Sequence, residues 1–256
     1  MYRQLCLALT VLAALPIAGR AADDWEDLFN GKDLTGWKGR PDLWSVKDGA
    51  ITGYTKDGNI PGGNSFLVWE GKAADFELKA KFKIVGGNSG IQYRSKFVGE
   101  PDKFVIGGYQ ADIDSAGKRK QEFMGILYEE RGRGFLCNRG TKTWIAADGA
   151  RHELRVTDGA EMLSSIKADD WNDYEIVAKA NHLTQKINGK VTAEVIDFQK
   201  DKRAADGLIA LQIHAGMGEM TVQFKDMKLK KVTDAVEMTP ETMPISKEAK
   251  KIGGPK

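Results

Sequence analysis

The sequence predicts an all-β protein, an antiparallel β-sandwich, on three observations. Apolar and polar residues alternate with a period of two in several separate stretches, glycine-containing turn dipeptides divide those stretches, and no part of the chain beyond the first 21 residues keeps an amphipathic helical period for more than three turns. Strand and helix units do not alternate, which disfavours a doubly wound parallel sheet. With 256 residues, 41% apolar and 29% charged, the chain can bury a sizeable core, and disorder throughout is excluded.

Taken in order, the chain opens with Arg3, an apolar run from Leu5 to Ile17 and a small-residue pattern at Gly19-Arg20-Ala21. This reads as a secretory signal over residues 1–21, and so as an exported protein, periplasmic or extracellular. The run is 13 residues long, short of the ~20 that a membrane span needs. Cys6 lies at the start of the apolar run, ahead of its core instead of after it, which argues against a lipid anchor. Cleavage after Ala21 removes Arg3 and Arg20 and leaves 36 basic residues against 36 acidic ones, so nucleic acid loses its electrostatic argument as a partner. It also removes Cys6, leaving Cys137 as a lone thiol, expected to be buried.

The domain is expected over 22–232. Trp44-Ser45-Val46 and Ala50-Ile51-Thr52 flank Asp48-Gly49, a two-residue hairpin signal. From 75 to 85, Phe76, Leu78, Ala80, Phe82 and Ile84 alternate with Glu77, Lys79, Lys81 and Lys83, which is a strand with one buried face. Gly86-Gly87 turns the chain before Ser89. Tyr174, Ile176, Ala178 and Ala180 repeat the alternation, Asn188-Gly189 marks a second hairpin, Asp206-Gly207 a further turn, and Val222 and Phe224 a last strand. Residues 139–170 fit a long loop, a short helix or two weak strands equally well. After Val232 the chain turns Pro- and Lys-containing, which suggests a mobile tail over 233–256 that packs little or follows the surface.

Familiar catalytic spacings are missing. His152-Glu153 lacks the second histidine of a zinc helix, and His152, His182 and His214 are too scattered to claim as metal ligands. No Gly-x-Ser-x-Gly elbow and no phosphate-binding glycine loop occurs. No cofactor is required by the sequence, although a divalent-cation site built from carbonyls and scattered Asp residues would leave little trace. What stands out is polar alternation in strand-like segments: Gln92 and Arg94, then Gln110, Asp112 and Asp114, then Gln212 and His214, with Ile91, Tyr93, Leu211 and Ile213 on the opposite faces. An ordinary solvated sheet face would look similar. These residues are Gln, Arg, Asp and His, however, beside Gly90 and Gly108 and interleaved with aromatics, as a carbohydrate site would be built. Asp112 and Asp114 are similar to the acidic strand of laminarinase-like sandwiches, but Gln110 stands where a nucleophilic carboxylate is wanted. Of the adjacent Glu129 and Glu130, only one can face such a site, and Glu129 is taken as the candidate acid.

Eight segments together resemble the 3-keto-disaccharide hydrolase domain family, long carried as a domain of unknown function. They are Leu-Phe-Asn-Gly-Lys-Asp-Leu-Thr-Gly-Trp at 28–37, Trp-Ser-Val-Lys-Asp-Gly at 44–49, Asp-Phe-Glu-Leu at 75–78, Gly-Asn-Ser-Gly-Ile-Gln-Tyr-Arg at 87–94, Gly-Tyr-Gln-Ala-Asp-Ile at 108–113, Trp-Asn-Asp-Tyr-Glu-Ile at 171–176, Ile-Asn-Gly at 187–189 and Gly-Leu-Ile-Ala-Leu-Gln-Ile-His at 207–214. The likeness covers roughly residues 25–231. One position departs from it: Gln185 stands where a histidine is common two residues before Ile187.

The resemblance implies a concanavalin A-like jelly roll acting on glycosides oxidised to a ketone at C3. A C3 ketone acidifies the C2 proton, so a base can remove it, the C1 substituent is expelled by elimination, and water adds afterwards. On this expectation Asp112, His214 and Glu129 are the catalytic candidates, and Asn88, Gln92, Arg94, Gln110, Asp114 and Gln212 the substrate-binding ones. The alternative is a non-catalytic carbohydrate-binding, lectin-like module. In both cases the partner is a carbohydrate.

Overall fold

The computed structural model describes residues 24–116 and 120–253; the predicted signal at 1–21 lies outside them. Eighteen strands and one short helix follow in order: β1 (Glu26–Asp27), β2 (Trp37–Lys38), β3 (Trp44–Lys47), β4 (Ala50–Thr55), β5 (Ser65–Trp69), β6 (Phe76–Val85), β7 (Asn88–Phe97), β8 (Ile106–Asp114), β9 (Leu127–Glu130), β10 (Gly134–Cys137), β11 (Thr141–Ile145), β12 (Arg151–Arg155), α1 (Gly159–Ser164), β13 (Asn172–Lys179), β14 (His182–Ile187), β15 (Lys190–Asp197), β16 (Leu208–Ile213), β17 (Met220–Lys231) and β18 (Lys250–Ile252). They form two sheets. The larger runs β18-β12-β11-β15-β14-β13-β6-β17-β4-β3, with β1 against β17; the smaller runs β10-β9-β8-β7-β16-β5-β2. Pairing is antiparallel except between β11 and β15, so the predicted antiparallel β-sandwich of jelly-roll type is the fold.

The alternation read in the sequence builds the core. Phe76, Leu78, Ala80, Phe82 and Ile84 all point inward from β6 and are buried, while their polar neighbours point out. From the smaller sheet Ile91, Tyr93, Tyr109, Ala111, Ile113, Leu127, Leu211 and Ile213 meet them. Phe76 packs edge-on against Tyr93 across the sandwich, with ring centroids 6.0 Å apart. Each such aromatic contributes ~1.5–3 kcal/mol by burial. Gln185, at the position where a histidine was noted in the resemblance, lies in this core: it donates to the Tyr93 hydroxyl and accepts from that of Tyr174.

Asp48-Gly49 and Asn188-Gly189 close hairpins, with φ of 51° and 71° in the first and 49° and 78° in the second. Gly86-Gly87 does something else, carrying the chain from the larger sheet to the smaller, since β6 and β7 do not pair. Ala180 is not a strand residue: β13 ends at Lys179, and Ala180 takes a φ of 47° in the turn to β14. Residues 139–170 hold two strands, β11 and β12, and the helix α1, capped by the Asp158 carboxylate on the Ala160 and Glu161 amides. The C-terminal segment follows the surface of the larger sheet. Met238 and Met243 pack on Trp144 and Phe198, and β18 adds to the edge at β12. Cys137 is a buried thiol, its pKa pushed up to about 11 by that burial. Among the described residues no helix is long and apolar enough to cross a membrane.

Candidate functional site

On the outer face of the smaller sheet, β7, β8 and β16 present the polar alternation, and it is buried: Asn88, Gln92, Gln110, Asp112 and Gln212 are each at most 5% exposed. Loops cover the face, so these side chains must find partners within the protein. All but Gln212 do so in one connected chain. The Ser95 hydroxyl donates to Gln92 Oε1 at 2.8 Å, Gln92 Nε2 to Gln110 Oε1 at 2.7 Å, and Gln110 Nε2 to Asp112 Oδ2 at 2.9 Å. From the other side Asn88 Nδ2 donates to Asp112 Oδ1 at 2.7 Å. Both carboxylate oxygens therefore accept from amides, and the Gln110 amide is held in its orientation by its own carbonyl accepting from Gln92. Gly90 makes room, because a Cβ there would lie 2.6 Å from the Gln110 side chain.

Beyond Asp112 a cleft of about 260 Å³ opens, lined by Asn64, Asn88, Gln110, Asp112, Phe123, Ile126, Tyr128, Glu130, Phe135, His214 and Met217. It lies just under the ~300–1,000 Å³ typical of small-molecule sites. That size suits one sugar ring. Loop ties hold its rim: Asn64 Oδ1 accepts from the Ala215 amide, and the His214 amide donates to the Asn88 carbonyl. The His214 ring nitrogen Nδ1 lies 2.6 Å from the Ala215 carbonyl. A carbonyl only accepts, so Nδ1 carries the proton and Nε2 is the ring's basic nitrogen.

Glu130 faces this histidine. Burial raises the pKa of its carboxyl, against the charges of His214 and Arg131 and polar contacts from Asn64 and Gln212 that pull it back. The Tyr128 phenol is likewise raised, by burial and then by the nearby negative charges of Glu130 and Asp112. The cleft thus combines a locked carboxylate, a histidine with a defined tautomer, a carboxyl biased toward its protonated form and a phenol that keeps its proton.

Among the predicted site residues, Asn88, Gln110, Asp112 and His214 line the cleft. Gln92 and Gln212 stand behind it, the first in the amide chain and the second beside Glu130. Three are placed elsewhere. Arg94 does not share the face of Gln92: the β7–β8 register slips between Tyr93 and Lys96, and Arg94 takes a φ of 46°. Its guanidinium turns to the Ala74, Ala180 and Ala204 carbonyls and to Asp75 at 2.8 Å, a buried structural clamp. Glu129 points to the other side of β9, where it holds Arg133 at 2.7 Å together with Asp197. The acid of that pair in the cleft is Glu130. Asp114 accepts the Phe123 amide at 3.0 Å and anchors the loop that carries Phe123.

Sequence reasoning missed Asn64, Phe123, Ile126, Tyr128, Phe135 and Met217. The loops give no periodic signal, but extending the strand alternation from an inward Leu127 would have selected Tyr128 and Glu130. Among the described residues no group of three or more His, Cys, Asp or Glu side chains is arranged to hold a metal ion.

Comparison with known proteins places this geometry in context. The profile of the 3-keto-α-glucoside-1,2-lyase-like domain matches residues 24–230. A 3-keto-disaccharide hydrolase from Bacteroides thetaiotaomicron is 36% identical over 94 residues, which is 32% of this chain and 31% of that protein, so the match spans about a third of the relative's length. A candidate glycosyl hydrolase from Parabacteroides distasonis superposes with a TM-score of 0.53 at 19% identity, covering 81% of this chain and 99% of that one. A Bacillus subtilis protein of unknown function with a galectin-like fold gives a TM-score of 0.50 at 11% identity, covering 77% and 90%. At such identities the last two speak for the fold alone.

Proposed function

The chain belongs to the 3-keto-α-glucoside-1,2-lyase-like domain family, a glycosyl hydrolase-like, carbohydrate-active group, and on that premise we propose that it cleaves glycosides carrying a C3 ketone, after export from the cell. The His214 imidazole, through Nε2, removes the C2 proton. The C2–H pair moves into a C2–C3 enolate with its charge on the C3 oxygen, then returns to form the C1–C2 double bond as the C1–O bond breaks, and Glu130 gives its proton to the departing oxygen. Tyr128 supplies a hydrogen bond to the enolate oxygen at C3, where charge develops. Water then adds across the double bond, hydroxide to C1 and a proton to C2, and a 3-keto sugar is released. Asp112, oriented by Asn88 and Gln110, fixes a sugar hydroxyl and so the ring.

The reading is carried by one observation. A histidine whose Nδ1 is tied to a carbonyl lines the same cleft as a carboxyl that burial pushes toward its acid form, so the cleft offers one bound molecule both a base and an acid. Purified protein incubated with a 3-keto-glycoside and with its unoxidised parent tests this. Cleavage of the keto substrate alone is expected. Cleavage of the parent would overturn the mechanism, and binding of sugar without turnover of either would make the protein a carbohydrate-binding module.

A further inference from the structure

The cleft occupies the outer face of the smaller sheet. The outer face of the larger sheet, on the opposite side of the sandwich, carries a different pattern. Where Phe76 to Ile84 point into the core from β6, Lys79, Lys81 and Lys83 point out, and on the neighbouring β17 Lys225, Lys228 and Lys230 do the same. The register sets like charges against each other: Lys225 lies opposite Lys81, and Lys228 opposite Lys79. Like charges directly opposite destabilise a strand pair. The fold therefore carries this cationic block at a cost, in a chain whose charges nearly balance, with 38 basic residues against 36 acidic ones.

Ion pairs meet only part of that charge. Asp173 takes Lys81 at 2.6 Å, and Asp27 and Asp24 approach Lys228 and Lys230 at 3.5 and 3.8 Å. Exposed Asp226 lies in the bulge of β17. Lys79, which faces Glu175 in the register, lies over the Trp25 ring at 4.7 Å. Lys83 and Lys225 share one indole, that of half-buried Trp171, at 5.1 and 4.1 Å from its centre, and among the described residues neither forms an ion pair. An indole face attracts an ammonium without taking up its hydrogen-bond donors, so both lysines keep the capacity to bind an anion. From Lys83 the sheet runs on through Gln223 and Thr52, bonded to each other and nearly buried, to a second cation over an aromatic ring, Lys47 on Tyr54 at 5.8 Å.

We propose that this face binds an acidic polysaccharide, a chain of sugars bearing carboxylates, with carboxylates on Lys83 and Lys225 and ring C–H groups on Trp171. Alternate residues of a strand are ~7 Å apart and neighbouring strands ~5 Å, so the lysines present a grid of cations to a repeating anion. A lipid surface fits less well, because the exposed apolar side chains of these strands, Val85 and Tyr54, are too few to enter a bilayer. The site is independent of the cleavage proposed above, and would hold the protein on a polymer with its cleft turned away from it.

The test measures binding to immobilised polygalacturonate and to its methyl ester, which keeps the sugar chain and loses the charge. Wild type should bind the acid form at low salt, more weakly as salt is raised, and the ester not at all. Lys83→Gln/Lys225→Gln should weaken binding about tenfold, the sum of two exposed charge contacts. Lys38→Gln/Lys103→Gln, which removes as much charge from the smaller-sheet side, should bind as wild type does. Melting temperature and turnover of a small soluble substrate should not fall in either variant. No binding by wild type at low salt, an equal loss in the two double variants, or equal binding of the ester overturns the site. Binding of phosphatidylglycerol vesicles or duplex DNA as tight as that of polygalacturonate, and lost in the same Lys83/Lys225 variant, overturns the polysaccharide in favour of a surface for any polyanion.

Discussion

The locked carboxylate gives the sharpest energetic prediction. Asn88 is 4% and Asp112 5% exposed, and they are joined by a 2.7 Å hydrogen bond to a charged oxygen. Hydrogen bonds to charged groups are worth ~1.5–3 kcal/mol, and a buried acceptor deprived of its donor loses the compensation for its desolvation. Asn88→Ala should therefore cost about 2–3 kcal/mol, or ~4–8 °C in melting temperature for a chain of this size. Truncation alone would not separate the bond from lost packing. A double-mutant cycle with Asp112→Ala does, since the stranded Gln110 amide and the lost volume cancel. Urea unfolding of the four proteins at neutral pH should give a coupling energy of ~1.5–3 kcal/mol. Additivity to within ~0.5 kcal/mol would show that Asn88 does not hold Asp112, and the account of how the site is oriented would be refuted.

Three further outcomes follow from the same geometry. Glu130→Gln should lower kcat by ~10²–10⁴, the usual span for a general acid, and wild-type kcat should fall as pH rises through the raised Glu130 pKa. Because the unfolded chain releases that proton at lower pH than the folded one, wild-type stability is full below the ordinary carboxyl range and declines toward neutrality. Glu130→Gln should thus be the more stable protein at pH 7, and a less stable variant would contradict the burial argument. Arg94→Ala removes a buried guanidinium from half-buried Asp75 and strands three carbonyls, so denaturant unfolding should show a loss of ~3–5 kcal/mol; lost turnover at undiminished stability would return Arg94 to the site. Gly90→Ala sets a Cβ 2.6 Å from Gln110, and should cost ~1–3 kcal/mol by overpacking while turnover falls as Gln110 is pushed off Asp112; wild-type values for both would mean that the amide chain tolerates displacement.

Period-two alternation made β6, β8 and the core half of β13 legible in the sequence, because a one-residue slip there would expose every apolar side chain. Asp48-Gly49 and Asn188-Gly189 were equally legible, since few residues adopt the positive φ of such turns. Sheet membership was not: nothing local distinguishes the Gly86-Gly87 crossover from a hairpin. Arg94 was misplaced because its face depends on a bulge. That bulge answers to distant packing, where Gly207 (φ 155°) lets its chain approach the Arg94 backbone so closely that a Cβ would meet it at 2.6 Å. Choosing between Glu129 and Glu130 needs the phase of β9, which the apolar run Ile126, Leu127 and Tyr128 does not give; only an inward Leu127, fixed by the fold, selects Glu130. Five of the eleven cleft residues, Asn64 and Met217 among them, come from loops, whose positions are set by contacts far apart in the chain.

Elimination and direct displacement differ in the fate of one hydrogen. Cleavage of a 3-keto-glucoside in deuterated water, followed by proton NMR at early conversion against an enzyme-free control, reads it directly. If His214 takes the C2 proton before water is added, the liberated keto sugar carries solvent deuterium at C2 from the first turnover and a C2-deuterated substrate reacts more slowly; if the original hydrogen is fully retained and C2 deuteration leaves the rate unchanged, no base acted at that carbon and the role assigned to the cleft is wrong.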